Sequence, residues 1–67
     1  MTEIIFFDFG TRENILVNPN MNTSYINNIK LNEKVVIKGI VYNVSDIRYD
    51  FDENTLRFGI TREGFAR

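Results

Sequence analysis

Residues Ile40–Thr61, IVYNVSDIRYDFDENTLRFGIT, constrain the fold more than any other stretch. Apolar and polar side chains alternate on either side of Asp52-Glu53-Asn54-Thr55, which is the pattern of two long antiparallel strands and a tight turn. With Glu53 and Asn54 as the central turn residues, Phe51 faces Leu56, Tyr49 faces Phe58 and Ile47 faces Ile60. Asp50 then faces Arg57 on the opposite side. Three apolar pairs share one face and an opposite-charge pair occupies the other, so a slip of one residue would scramble both.

The first strand of this hairpin changes phase along its length. Tyr42 and Val44 mark the inward set at its start, whereas Ile47, Tyr49 and Phe51 mark it afterwards. The switch at Ser45-Asp46 leaves one residue to absorb, and a β-bulge absorbs one residue while bending the strand. Gly59, opposite Arg48 in this register, eases the same bend. Upstream, Lys34-Val35-Val36-Ile37 precedes Lys38-Gly39, a two-residue turn whose glycine accepts positive φ. Ile37 then faces Ile40, Val36 faces Val41 and Val35 faces Tyr42. Three strands therefore form a meander with the long one in the middle.

The N-terminal part supplies a second hairpin. Glu3–Phe9 is β-branched and aromatic, with Ile4 and Phe6 on one face and Ile5, Phe7 and Phe9 on the other. A strand apolar on both faces is covered on both. Either it runs through the middle of a small closed barrel, or one face, such as that of Phe7 and Phe9, is left for a second subunit or a ligand. Gly10–Glu13 turns the chain, Asn14–Val17 returns, and Asn18-Pro19-Asn20 ends the strand. Asp8, a charge between two phenylalanines, is expected at a strand edge. Met21–Leu31 reads as a loop with one helical turn capped by Asn22 or Thr23 and pinned by Ile26 and Ile29. Tyr25 either anchors this loop or lines a pocket. The tail Arg62–Arg67 is expected to leave the sheet, frayed or with Phe65 packed on a second subunit. The fold class is all-β, a single domain over residues 1–67: a five-stranded barrel or strongly bent antiparallel sheet with one short helical turn.

At 67 residues the chain carries neither cysteine nor histidine. So short a domain buries only about 60% of its unfolded surface. Without disulfides or the usual zinc ligands, self-association is the expected source of further burial, and a homodimer is predicted. Eight basic and nine acidic residues leave a net charge of −1, which speaks against a nucleic-acid binder with its basic stripe. No apolar run approaches a membrane span, no signal-peptide layout is present, and the cytoplasm is the expected compartment.

The chemistry-bearing residues point away from catalysis. Lacking His and Cys, the chain has no ordinary base for a hydroxyl nucleophile and no thiolate, so no catalytic residue, metal or cofactor is assigned. Asp50, Asp52 and Glu53 read as a solvated turn. Asp50-Phe51-Asp52-Glu53-Asn54 opens like a calcium loop, but Thr55 stands where glycine is needed and Thr61 where the bidentate glutamate is needed. Arg48 and Arg57 project from the outward face, where they either pair with carboxylates such as Asp50 or, with exposed aromatics, clamp a nucleotide.

The layout over Leu31–Thr61 (short turn, VVI strand, glycine turn, Tyr-x-Val strand, acidic turn, apolar return strand) resembles small SH3-like β-barrel proteins encoded by bacteriophages. The resemblance covers about half the chain and implies a class of roles without assigning a residue. Two functions follow as expectations. The first is a non-enzymatic binding module, homodimeric and phage-type, that blocks a host protein and uses Phe7, Phe9 and Phe65. The second is a sponge that sequesters a nucleotide through Tyr25, Arg48, Arg57 and Arg62.

Overall fold

A computed structural model describes residues 2–19 and 23–66. Where β-branched and aromatic residues are densest, the backbone is extended: β1 (Glu3–Asp8), β2 (Asn14–Val17), β3 (Lys34–Ile37), β4 (Ile40–Asp50) and β5 (Thr55–Phe65). The one helix among the described residues, α1 (Thr23–Asn27), is a single short turn. The strands form one sheet in the order β2-β1-β5-β4-β3, bent into a half-barrel around an apolar core. The all-β, five-stranded, strongly bent sheet expected from the sequence is therefore the fold.

One pairing departs from an all-antiparallel sheet. β1 runs parallel to β5, with Ile4 beside Leu56, Phe6 beside Phe58 and Asp8 beside Ile60. Local periodicity fixes which residues share a face but says nothing about which distant strand lies alongside. The parallel register stacks the Phe6 and Phe58 rings 4.8 Å apart at 17°. These two rings, with Ile26, Ile37, Tyr42, Val44 and Ile60, form the buried core on the inner face.

The turns show why each strand ends where it does. Lys38 and Gly39 both take positive φ, 52° and 78°, as a type I′ turn requires. Ile37 then faces Ile40, Val36 faces Val41 and Val35 faces Tyr42, as the sequence predicts. In the first hairpin the Asp8 carboxylate accepts hydrogen bonds from the Gly10 and Thr11 backbone N–H groups at 2.8 and 2.9 Å. Asp8 is the last residue of β1, an interior strand between β2 and β5, so the charge lies at a strand end rather than along an edge of the sheet. These bonds hold the carboxyl below its ordinary value of 3.8, the Thr11 N–H having the largest effect.

The β4–β5 hairpin corrects the predicted register. Tyr49 faces Leu56, Ile47 faces Phe58, Arg48 faces Arg57 and Asp50 faces Thr55. Relative to the sequence reading, β5 has moved by two positions, which preserves both faces and changes every pair. The cause is the Asp50 side chain. Its Oδ1 accepts from the Asp52 and Glu53 N–H groups at 3.0 and 3.1 Å, an Asx-type cap that widens the turn to Phe51–Asn54. Phe51 thereby leaves the strand and lies 87% exposed. Asp50 does not face Arg57.

The bulge falls where expected, between Val44 and Asp46, and Gly59 lies opposite Asp46 rather than Arg48. A second irregularity between Val41 and Tyr42 admits Glu63 as an extra residue in β5. With it, β5 continues to Phe65, which faces Ile40, and Ala66 N–H donates to the Gly39 carbonyl at 2.8 Å. The expected departure of the tail at Arg62 is therefore corrected: residues through Phe65 remain in the sheet. Arg67, and the Asn22 alternative for the helix cap, lie outside the described residues.

Candidate functional site, an apolar groove on the inner face

A half-barrel exposes part of the face that a closed barrel would seal. α1 and the loop after it cover one side of the inner face, with Ile26 buried and Ile29 half-buried. The loop is fastened to β4 next to the bulge, where Asn32 N–H donates to the Val44 carbonyl at 2.8 Å and Val44 N–H donates to the Glu33 carbonyl at 2.9 Å. Between this loop and the β4–β5 hairpin lies a groove with a cavity volume of about 550 Å³. Ile4, Ile26, Ile29, Ile47, Leu56 and Phe58 line it, and Thr2, Asn27 and Tyr49 add polar atoms. Phe58, only 1% exposed, belongs to the core beneath.

No charged side chain lines the groove among the described residues. The Tyr49 hydroxyl is already engaged, since it donates to Asn54 Oδ1. The site can therefore bury an apolar group without desolvating a charge. A fully buried leucine- or phenylalanine-sized side chain contributes about 1.5–3 kcal/mol, and the volume lies within the ordinary range of ligand pockets.

The residues singled out from the sequence lie elsewhere and do not converge. Phe7 and Phe9 are on the outer face of β1, packed over Gly59, with the Arg12 guanidinium 5.8 and 5.1 Å from their ring centroids. Phe7 is buried and Phe9 39% exposed, so this second apolar face is largely covered by the chain itself. Arg48 and Arg57 are direct cross-strand neighbours on the same outer face. Arg48 is 3.4 Å from Asp46 Oδ2, an ion pair without a hydrogen bond, because that oxygen is buried and accepts none. Arg62 lies over the exposed Phe65 ring at 4.9 Å, towards the far end of β5. Tyr25 is 70% exposed and lines a smaller recess of about 260 Å³ with Ile29, Lys34 and Val35. Tyr25 thus borders a recess of its own, apart from the arginines.

The groove residues escaped notice because inward apolar positions read as core. The usable signal was the shortage of chain. Among the described residues, five strands and one helical turn do not cover every inward side chain, and Ile4, Ile29, Ile47 and Leu56 stay half-buried.

Comparison with family models, with curated proteins and with solved structures finds no match to this chain. No helix among the described residues is long and apolar enough to cross a membrane.

Proposed function

We propose that the protein is a non-enzymatic binding module that takes an apolar side chain of a protein partner into the inner-face groove and blocks that partner. One observation carries the reading: an uncharged, preformed groove of about 550 Å³ on the face that would otherwise be core. The resemblance to phage-encoded small barrels makes a host protein the partner class and the cytoplasm the compartment. Homodimerisation belongs to the same proposal, because β2 and β3 end the sheet as edges and an unpaired edge is a template for a further strand.

Selection of a random peptide library on the immobilised chain tests the groove. Selected peptides should carry large apolar side chains and shift the methyl resonances of Ile4, Ile29, Ile47 and Leu56. Peptides that instead map to the outer face would remove the groove reading. Light scattering that finds only monomer at micromolar concentration would remove the dimer.

A second reading has its own observation. Arg48 and Arg57 lie directly opposite one another, an unfavourable like-charge pair in which the Asp46 carboxylate stands beside Arg48, so that an anion placed between the two would relieve the remaining repulsion. In this reading the outer face sequesters a phosphate-bearing nucleotide. A thermal-shift panel of cyclic and linear nucleotides decides it, since ligand at about 100 times Kd adds about 2.7 kcal/mol of stability. No shift across the panel eliminates the sponge.

A further inference from the structure

The two edges of the sheet are not alike. β2 is broken by the register shift between Phe6 and Phe7 and stops at Asn18, whose φ is 49°, and Pro19. A bulge and a proline both close an edge against further pairing. β3 has neither, and Lys34–Ile37 pairs with β4 residue by residue without a shift. Lysine also blunts edges, but Lys34 is turned back over the sheet, its Nζ 3.3 Å from Asn43 Oδ1 and 2.6 Å from Glu63 Oε2. Val36 is left 59% exposed on the outer face.

The alternation of an antiparallel ladder decides which backbone groups the open side presents. Val44 N–H donates to the Glu33 carbonyl at one end of β3. At the other end, the two-residue turn at Lys38-Gly39 makes Ile37 and Ile40 a hydrogen-bonded pair. Val35 bonds Tyr42 in the same way, so the N–H and C=O groups of Lys34 and Val36 point away from β4. No backbone partner meets them among the described residues. Val35, between them on the inner face, borders the recess of about 260 Å³ with Tyr25 and Ile29.

Resting on the dimer reading, we infer that β3 is the edge through which two copies of this chain join, antiparallel and centred on Val35. Lys34 of each copy then faces Val36 of the other, and every outward group of both residues finds a partner. A shift of two positions either way would call on Asn32 or Lys38, which have φ of 70° and 52° and lie outside the strand. The edge is thus its own complement in one register. The Val35 side chains meet at the two-fold axis as a close, non-hydrogen-bonded pair, beside the recess of each copy. For a chain of this length without cysteine, such a joint supplies burial that no disulfide can.

Sedimentation of the intact chain over a concentration series, together with amide hydrogen exchange, tests the joint. Val36→Pro should abolish association and keep the methyl spectrum of a folded monomer, because the Val36 N–H makes no bond to β4. Val36→Lys sets a lysine against Lys34 of the second copy, twice by symmetry, and should weaken the dimer about tenfold. Val36→Glu should leave it at least as tight. Where Val36→Pro fails to fold, the contrast between lysine and glutamate decides. The Lys34 and Val36 amides should gain protection as concentration rises, with no change at Ile15 and Val17. A dimer unmoved by these variants, or one that protects Ile15 and Val17 instead, would overturn the inference and leave the dimer reading standing. Protection of β3 by an added peptide of alternating valine and threonine, but not by concentration, would assign the edge to a foreign strand and overturn it too. Monomer at every concentration would overturn both.

Discussion

At the scale of single residues, two side-chain contacts carry consequences out of proportion to their size. Gly59 lies against the outer-face aromatics so closely that a β-carbon there would be 2.9 Å from Phe9 Cδ1, 3.0 Å from Phe7 Cζ and 3.1 Å from Asp46 Cβ. The Phe9 ring is partly exposed and can swing away, whereas Asp46 Cβ is fixed by the bulge. Gly59→Ala should cost about 1–3 kcal/mol, as overpacking does, and Phe9→Ala in the same chain should return only part of it. Thermal melts of the single and double variants check this. A Gly59→Ala protein as stable as the parent would mean that the outer face is loosely packed. Asp8 makes a pH prediction. Its folded pKa is lowered, so its contribution to stability is complete above the unfolded value of about 3.9 and is lost as pH falls through the folded one. Asp8→Asn should flatten the acid limb of a stability–pH curve and leave the neutral limb alone. An acid limb unchanged by the variant would assign that limb to other carboxylates.

At the scale of elements, the hairpin register separates two classes of substitution. Phe58, 1% exposed, should cost about 3–5 kcal/mol on replacement by alanine, a large part of the stability of a domain this size. Chemical denaturation should find the Phe58→Ala chain largely unfolded. Phe51→Ser should stay within about 0.5 kcal/mol, because its ring lies outside the strands at an exposed position. A large loss at Phe51 would restore the two-residue turn and the Phe51–Leu56 pair. The β3–β4 turn was legible because Lys38-Gly39 leaves little choice of loop length. The Ser45 bulge was legible because the inward phase breaks there. The β4–β5 turn was misread because a shift of two positions keeps side chains on their faces, and only the Asp50 cap distinguishes the alternatives. Residues beyond Arg62 were misread because charge and glycine suggest a loop, while an extra residue at Glu63 lets the ladder continue. The groove itself was illegible, since Ile29 and Leu56 look like any buried aliphatic until the coverage of the inner face is known.

At the scale of the whole molecule, the parallel β1–β5 pairing governs how the chain acquires its structure. β1 reaches its inner neighbour only when Thr55–Phe65 is available, so the core stack of Phe6 on Phe58 joins residues far apart in sequence. Contacts of such separation slow folding, because the connecting chain must be ordered before they form. A fragment ending at Asn54 should show no sheet signal in circular dichroism, since it lacks the strand that joins the first hairpin to β3–β4. A folded fragment would show that the two hairpins stand independently. During synthesis the consequence is one of timing. The first hairpin emerges early with Ile4 and Phe6 bare, and β3–β4 emerges with Tyr42 and Val44 equally bare. Neither half can cover the other until the last strand is threaded between them. The nascent protein thus waits with its stickiest surfaces showing, open to chaperones and to aggregation, and the final strand acts as the key that closes both halves at once.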